Sequence, residues 1–182
     1  RMADFVDHLE ANPPATNAAY LCGHTTLRVG AMSDLMRPAT EDEILLMKDN
    51  LSEALDSGAV GLSTGLAYDP AKSAPTREVL SLAEILGPAD ALYTTHLRDE
   101  GANIITSLEE AFQIGRESDA AVVLSHHKVT GKENIGRSKE TLELIDRVRK
   151  DQKVDLDVYP YVAGSTVLAK WRLADARRVI IT

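Results

Sequence analysis

The fold is decided by residues 91–126, which read ALYTTHLRDEGANIITSLEEAFQIGRESDAAVVLSH. The stretch begins and ends with short apolar segments, 91–95 and 120–125, and each segment is followed directly by a histidine. Between them, apolar residues recur at helical spacing. We therefore predict a strand, a helix and a second strand, which is the order found in a parallel βα unit.

The same alternation extends in both directions along the chain. Further strands are predicted at 18–22, 59–63 and 154–159, so the strand–helix unit repeats at roughly 30 to 40 residues. Continuous apolar strands flanked by amphipathic helices favour a parallel sheet covered by helices. Such a sheet curls into a barrel or stays open and doubly wound, and no glycine-rich dinucleotide fingerprint follows any strand. The sequence predicts an α/β fold with about five βα units of a partial (β/α)8 TIM-type barrel.

Several residues mark where helices begin and end. Thr40 and Glu43 have the spacing of a capping box, and Gly58 stands where a left-handed residue ends that helix. Thr76 and Ser138 are predicted to cap two later helices. The segment 25–39, between the first strand and Thr40, is predicted to be a loop.

Composition excludes several classes of function. The 182 residues carry a formal net charge of −8, which gives no electrostatic reason for nucleic acid or an anionic membrane to bind. No apolar run approaches the roughly 20 residues that a spanning helix needs. Cys22 is the only cysteine, so an internal disulfide is excluded and a cytoplasmic location is expected.

Both termini are expected to lie within a longer polypeptide. The chain starts at Arg1 instead of a methionine, and residues 179–182 are predicted to form a buried apolar strand. We therefore predict that residues 1–182 are a single fragment of one domain.

Polar residues follow the strands directly, at the end where (β/α)8 barrels build their sites. His96 and His126 end successive strands, and neighbouring parallel strands lie about 4.8 Å apart. Their imidazoles can therefore converge on one zinc ion; loop-capping histidines are the alternative. Lys128 shares the face of His126 and is a candidate for binding a substrate carboxylate, with a solvated lysine as the alternative. His127 alternates with His126 and is expected to point elsewhere.

Other polar residues near the strand ends have less specific patterns. The run Arg98-Asp99-Glu100 is predicted to be a structural ion-pair cluster that orders its loop. His24 either caps its loop or faces the site, and Cys22 is expected to be a buried small apolar residue. No role is predicted for Asp155 or Asp157.

Five stretches together resemble the D-aminoacylase branch of the amidohydrolase superfamily, which includes the N-acyl-D-glutamate deacylases. They are residues 23–30 (GHTTLRVG), 61–68 (GLSTGLAY), 95–101 (THLRDEG), 124–128 (LSHHK) and 157–166 (DVYPYVAGST). They occur in the family's order over nearly the whole chain. Each is a weak signal alone, and together they are specific.

The resemblance implies a zinc-dependent enzyme that hydrolyses the amide bond of N-acyl-D-amino acids. It assigns the site as follows: His96 and His126 to the metal, and Lys128, Tyr159, Ser165 and Tyr68 to the substrate. In the family, the first three of these substrate residues contact the substrate carboxylate and the last lines the pocket. His127 stands where the family usually has an apolar residue.

The sequence lacks three features of the family pattern: a His-x-His pair on the first strand, a metal-bridging cysteine on the second and a catalytic aspartate on the eighth. The resemblance therefore implies that residues 1–182 supply strands three to seven. It also implies that the fragment holds no catalytic residue and is inactive alone.

Two other functions stay open from the residues themselves. One is an amidohydrolase that acts on a different amide, and the other is a non-catalytic α/β binding module with structural histidines. The expected partner is a small-molecule N-acyl-D-amino acid. Binding to nucleic acid or to a membrane is not expected. An open five-stranded sheet exposes two edges, so self-association into a homo-oligomer is also expected.

Overall fold

A computed structural model describes residues 2–161, 163–167 and 178–180 of the chain. Its sheet consists of strands β1 (Leu21–Gly23), β2 (Gly61–Gly65), β3 (Leu92–His96), β4 (Ala121–Leu124) and β5 (Val154–Leu156). The helices are α1 (Met2–Ala11), α2 (His24–Ala31), α3 (Glu41–Asp56), α4 (Thr76–Ala83), α5 (Ile104–Ser118) and α6 (Ser138–Val148). Short 3₁₀ turns lie at Ala71–Ser73 and Lys132–Asn134.

The five strands pair in chain order and every pair is parallel. At least one helix lies between each strand and the next along the chain. All five carboxyl ends therefore meet along one edge of the sheet, as the sequence predicts. The α/β class and the parallel order are confirmed.

The core lies between the sheet and the helices that cover it. Leu62, Tyr93 and Leu124 on three neighbouring strands are fully buried. The Tyr93 hydroxyl lies 3.1 Å from Thr64 Oγ1, which satisfies this polar group inside the core. Burial raises the pKa of Tyr93 to about 12. Leu62, Tyr93 and Leu124 lie on the same face of the sheet by their register, so burial of that face accounts for the apolar residues there.

Helix ends follow the predicted pattern in one case and differ in two. Thr40 and Glu43 form the capping box at the start of α3, and Gly58 follows that helix with a φ of 98°. Thr76 and Ser138 are the first helical residues instead of the caps, so those two predictions are wrong. The Thr76 hydroxyl donates to Glu110 at 2.7 Å, a long-range contact that local spacing does not reveal.

The segment after β1 also differs from its predicted loop. Residues His24–Ala31 form α2, whose buried face consists of His24, Leu27 and Arg28. Two of these three are polar, so the apolar periodicity that signals a helix is weak here. Strand β5 is shorter than predicted: it ends at Leu156, whereas the sequence predicts a strand that continues to residue 159.

The ends of the described chain add two facts. Residues 178–180 are exposed and belong to no strand, against the predicted buried strand; Ile181 and Thr182 lie outside the described residues. Among the described helices, none combines the length and the apolarity needed to cross a membrane. Strands β1 and β5 each pair on one side within the described sheet, and self-association through these edges stays a prediction.

Candidate functional site

His96 and His126 meet at the carboxyl edge of the sheet. His96 is the last residue of β3, and His126 follows β4 by two residues. His96 Nδ1 lies 3.0 Å from His126 Nε2, and the two ring centroids are 4.5 Å apart. Two imidazoles from sequence positions thirty residues apart thus share one small volume, as expected from adjacent strand ends.

Glu100 and Lys128 complete this group. Lys128 Nζ donates to Glu100 Oε1 at 2.6 Å and lies 3.0 Å from His126 Nδ1. Glu100 Oε1 also lies 3.4 Å from His126 Nδ1 and 3.7 Å from His96 Nε2. We call His96, Glu100, His126 and Lys128 the rim cluster.

The donor atoms of the rim cluster suit a metal ion. One ligand atom from each of His96, Glu100 and His126 lies within 4.8 Å of the other two. Glu100 Oε2 is buried and has no hydrogen-bond partner among the described residues. A buried carboxylate oxygen without a donor is costly, and a nearby cation relieves that cost. Imidazole nitrogen and carboxylate oxygen are ordinary zinc ligands, so the residues present fit this metal.

Glu100 is the residue of the cluster that the sequence did not single out as part of the site. Of the other two residues of the predicted ion-pair run, Arg98 behaves as predicted, and Asp99 forms hydrogen bonds in place of an ion pair. Arg98 forms a two-pronged ion pair with Glu110, and Asp99 accepts a hydrogen bond from the Gly101 N–H. Both order the loop after β3. The Glu100 side chain alone turns into the site, and no local signal distinguishes it from Asp99.

The predicted substrate residues lie at different distances from the cluster. The Tyr68 ring is 4.8 Å from the His96 ring, and Lys128 Nζ is 5.8 Å from the centre of the Tyr159 ring. Ser165 is exposed and makes no hydrogen bond to the described residues. Its neighbour Thr166 bonds to the Tyr68 hydroxyl at 2.9 Å, which holds this segment near the rim.

A cavity of about 250 Å³ opens beside the rim cluster. Its wall includes Glu100, Thr130, Arg98 and Lys72. Arg98 is committed to Glu110, whereas the exposed Lys72 forms no ion pair with the described residues. Glu100 is the member of the rim cluster that lines this cavity.

His127 points away from the cluster, as predicted from its alternation with His126. It is buried, and its Nε2 lies 2.9 Å from the Thr141 hydroxyl on α6. Burial, followed by the nearby Lys128 charge, lowers the pKa of His127 below its ordinary value. One hydrogen bond to α6 therefore accommodates the polar His127 side chain at a position where an apolar residue is usual.

A second polar cluster, which we call the buried triad, consists of His24, Arg28 and Glu78. Glu78 Oε1 lies 3.0 Å from His24 Nε2 and also accepts from Arg28 Nη1. Glu78 Oε2 accepts from the Ala39 N–H at 2.9 Å. His24 is thus engaged in the interior and does not reach the rim cluster.

Cys22 also lies apart from the rim cluster. It is buried in β1, and burial, followed by the charge of Glu53, raises the pKa of its thiol. A thiol of this kind behaves as a small apolar residue, as expected from the sequence.

Similar proteins of known function match the whole chain. A D-aminoacylase from Alcaligenes xylosoxydans xylosoxydans is 52% identical over 182 residues, which is 100% of this chain and 38% of that protein. An N-acyl-D-aspartate deacylase from the same organism is 50% identical and is covered over 37% of its length. No protein-family model matches the chain. The chain therefore spans about 38% of the length of the curated relatives it matches.

Solved structures share the fold. A crystal structure of D-aminoacylase, described as defining a novel subset of amidohydrolases, superposes with a TM-score of 0.89 at 53% identity over 90% of this chain and 35% of that one. An N-acyl-D-glutamate deacylase from Bordetella bronchiseptica was solved in complex with zinc and a phosphonate mimic of the tetrahedral intermediate. It superposes with a TM-score of 0.85 at 42% identity, over 88% of this chain and 34% of that one. A further D-aminoacylase structure concerns a binuclear metal centre. It superposes with a TM-score of 0.89 at 52% identity, over 90% of this chain and 35% of that one. The five-stranded sheet thus matches part of an amidohydrolase barrel.

Proposed function

We propose that the chain belongs to the D-aminoacylase family of the amidohydrolase superfamily, whose members it resembles over its whole length, and that it is part of a zinc-dependent N-acyl-D-amino-acid deacylase. In this proposal, residues 1–182 supply strands three to seven of the catalytic barrel. The first, second and eighth strands and the general base come from other parts of the protein.

The observation that carries the proposal is the convergence of His96 and His126. Their nitrogens lie 3.0 Å apart at the end of the sheet where barrel enzymes hold their active sites. Two loop-capping histidines, the alternative, would not require the buried Glu100 carboxylate beside them. The similar Bordetella deacylase is complexed with zinc, which supports zinc as the metal.

His96 and His126 would hold the metal, and Glu100 would support His126 from the side. A carboxylate near the second nitrogen of a metal-binding imidazole orients the ring, and Glu100 Oε1 lies 3.4 Å from His126 Nδ1. When bound, zinc supplies a Lewis acid that polarises the scissile amide carbonyl.

The substrate carboxylate would be held by Lys128, Tyr159 and Ser165. Lys128 carries the positive charge and is already placed by Glu100 at 2.6 Å, so little side-chain entropy is lost on binding. Tyr159 lies close to Lys128, and the exposed Ser165 hydroxyl has no competing partner among the described residues. Fixing the carboxylate on one side of the metal lets only one enantiomer present its amide to the metal.

Tyr68 would form a wall of the pocket. Its ring packs 4.8 Å from the His96 ring, and its hydroxyl is held by Thr166. The side chain therefore limits which groups approach the metal from the β2 side.

A cytoplasmic location is part of the same proposal and is supported by the single buried thiol, Cys22.

The test uses the whole protein that carries this chain, purified with zinc in the buffer and dialysed. We expect stoichiometric zinc by elemental analysis and hydrolysis of N-acetyl-D-amino acids in preference to the L enantiomers. His126→Ala should lose zinc and activity. The exposed histidine His8 offers a matched control, because His8→Ala should retain both.

Three outcomes would overturn the proposal. They are a wild-type protein without stoichiometric metal, a preference for L substrates, or a His126→Ala variant that keeps its zinc. The first outcome would favour a non-catalytic module, and the second would favour an amidohydrolase acting on another amide.

A further inference from the structure

His126 has an unusual backbone conformation for a residue with a side chain. Its φ is 41°, in the left-handed region that side chains rarely adopt because Cβ approaches the following carbonyl. His126 follows the end of β4 at Leu124 by two residues. The turned backbone presents the imidazole to His96, so some other part of the protein must hold this conformation.

Asp157 provides the contacts that hold it. Its side-chain Oδ1 accepts a hydrogen bond from the His126 N–H at 2.6 Å. Its carbonyl accepts from the His127 N–H at 2.8 Å, and its own N–H donates to the Leu124 carbonyl at 3.2 Å. Asp157 therefore makes hydrogen bonds to Leu124, His126 and His127, which fix the chain before, at and after His126.

The side-chain bond is the one that secondary structure does not provide. The bond from the Asp157 N–H to Leu124 continues the parallel pairing of β4 and β5, whereas the bond from the His127 N–H is displaced by one residue from the regular ladder. Any residue except proline can make both bonds at position 157. The His126 N–H, in contrast, is an exposed backbone donor that water would satisfy in other conformations. A charged acceptor at short range is stronger than a neutral one and favours the turned conformation.

We infer that Asp157 is a positioning residue: its carboxylate locks the left-handed backbone of His126 and thereby sets the affinity of the rim cluster for zinc. The inference rests on the proposed function, since it takes His126 as a metal ligand. Asp157 acts through His126 and does not itself belong to the group of candidate ligand atoms.

Asp155, which lies in β5 two residues before Asp157, is the matched control. Its Oδ1 accepts from the N–H of the next residue, Leu156, at 2.9 Å, and lies 3.7 Å from Arg149 Nη2. It makes no hydrogen bond to His126 in the described structure. Asp155→Ala therefore removes a similar carboxylate without touching the turn.

The experiment measures zinc affinity of the whole protein by chelator competition for wild type, Asp157→Ala, Asp157→Asn and Asp155→Ala. We expect Asp157→Ala to bind zinc about 10- to 100-fold more weakly, in the range found when a residue that orients a metal ligand is removed. Asp157→Asn keeps an acceptor oxygen and should recover most of that loss. Asp155→Ala should match wild type.

Two measurements keep the test decisive. The visible spectrum of the cobalt-substituted protein reports ligand geometry and should change in Asp157→Ala alone. Amide hydrogen exchange in wild type should show a protected His126 N–H, a result that does not depend on whether the variants fold. Wild-type zinc affinity in Asp157→Ala, or fast exchange at His126, would overturn the inference while leaving the deacylase proposal standing. A wild-type protein without zinc would instead overturn the proposed function.

Discussion

The rim cluster and the buried triad contain the same kinds of groups but are built for different purposes. Each combines histidine, glutamate and a basic side chain, and each lies near the carboxyl end of the sheet or just beyond it. In the triad, the His24 and Glu78 side chains are 0% and 1% exposed. In the rim cluster, the His126 and Lys128 side chains are 33% and 27% exposed.

The two glutamates are both buried, with side chains 1% and 4% exposed, and they differ in their hydrogen bonds. Both oxygens of Glu78 accept hydrogen bonds, from His24 and Arg28 on one side and the Ala39 N–H on the other. One oxygen of Glu100 has no partner in the described part of the chain. A carboxylate with all its bonds made stabilises the fold, whereas one with a bond left to make is available to a ligand.

The largest expected effect is the loss of stability when the triad loses its cation. Arg28→Met leaves Glu78 buried beside His24 without its guanidinium partner, and also frees the Leu35 and Arg37 carbonyls that Arg28 Nη2 bonds. We expect a loss of about 3–5 kcal/mol in the free energy of unfolding, measured by urea denaturation. Arg37→Met is the control: it breaks the half-exposed pair with Glu43 and should cost much less, because water screens an exposed ion pair. Equal losses in the two variants would contradict the structural role of the buried triad.

The next effect falls on binding instead of stability. Lys128→Met removes the charge proposed to hold the substrate carboxylate, and we expect a loss of about 1.5–3 kcal/mol in substrate binding, which corresponds to a KM raised roughly 10- to 150-fold. Steady-state kinetics of the whole protein on an N-acetyl-D-amino acid provide the measurement. Lys139→Met, an 84% exposed lysine paired loosely with Glu143, should leave KM unchanged. An unchanged KM in Lys128→Met would remove this residue from the proposed pocket.

A smaller effect concerns pH. Burial alone would raise the pKa of Glu78, but hydrogen bonds from His24, the Ala39 N–H and Arg28 outweigh it and lower the pKa below its ordinary value. An acid of this kind stabilises the fold at pH values above its ordinary pKa of about 4.3, and the contribution is lost as the pH falls through the folded value. Urea unfolding between about pH 6 and 3 should therefore show a falling free energy, by up to about 1.4 kcal/mol per pH unit for this group. Glu78→Gln should show a shallower fall, and an unchanged slope would contradict the assignment.

The smallest effect is expected at the edge of the pocket. Tyr68→Phe removes the exposed hydrogen bond to Thr166 and keeps the ring beside His96. The free energy of unfolding should fall by about 0.5 kcal/mol or less, at the low end for a hydrogen bond, since water replaces the lost partner. Expressed as a free energy, the change in KM should exceed the change in the free energy of unfolding, because the bond holds the segment that carries Ser165. A fall in stability above that of Arg37→Met would place Tyr68 among the structural residues.

The parallel sheet and the histidine pair could be predicted because both depend on local pattern. Apolar segments with a following histidine at 91–96 and 120–126 fix which strands exist and what stands at their ends. Parallel neighbours then bring His96 and His126 together without further information. The helix α2 escaped prediction because its buried face includes His24 and Arg28, which look like solvent-facing residues until their partner is known.

What the sequence by itself determined is the order of strands and helices, the edge at which the polar residues gather and the family to which the motifs point. Only the tertiary structure decided which glutamate serves which cluster. Glu100 and Glu78 each stand near a strand or helix end in an ordinary polar run, and nothing local separates them from Asp99 or Glu110. Their partners lie 28 and 50 residues away in the chain. The environment of a carboxylate, and hence its role, is set by the packing that brings those distant groups together.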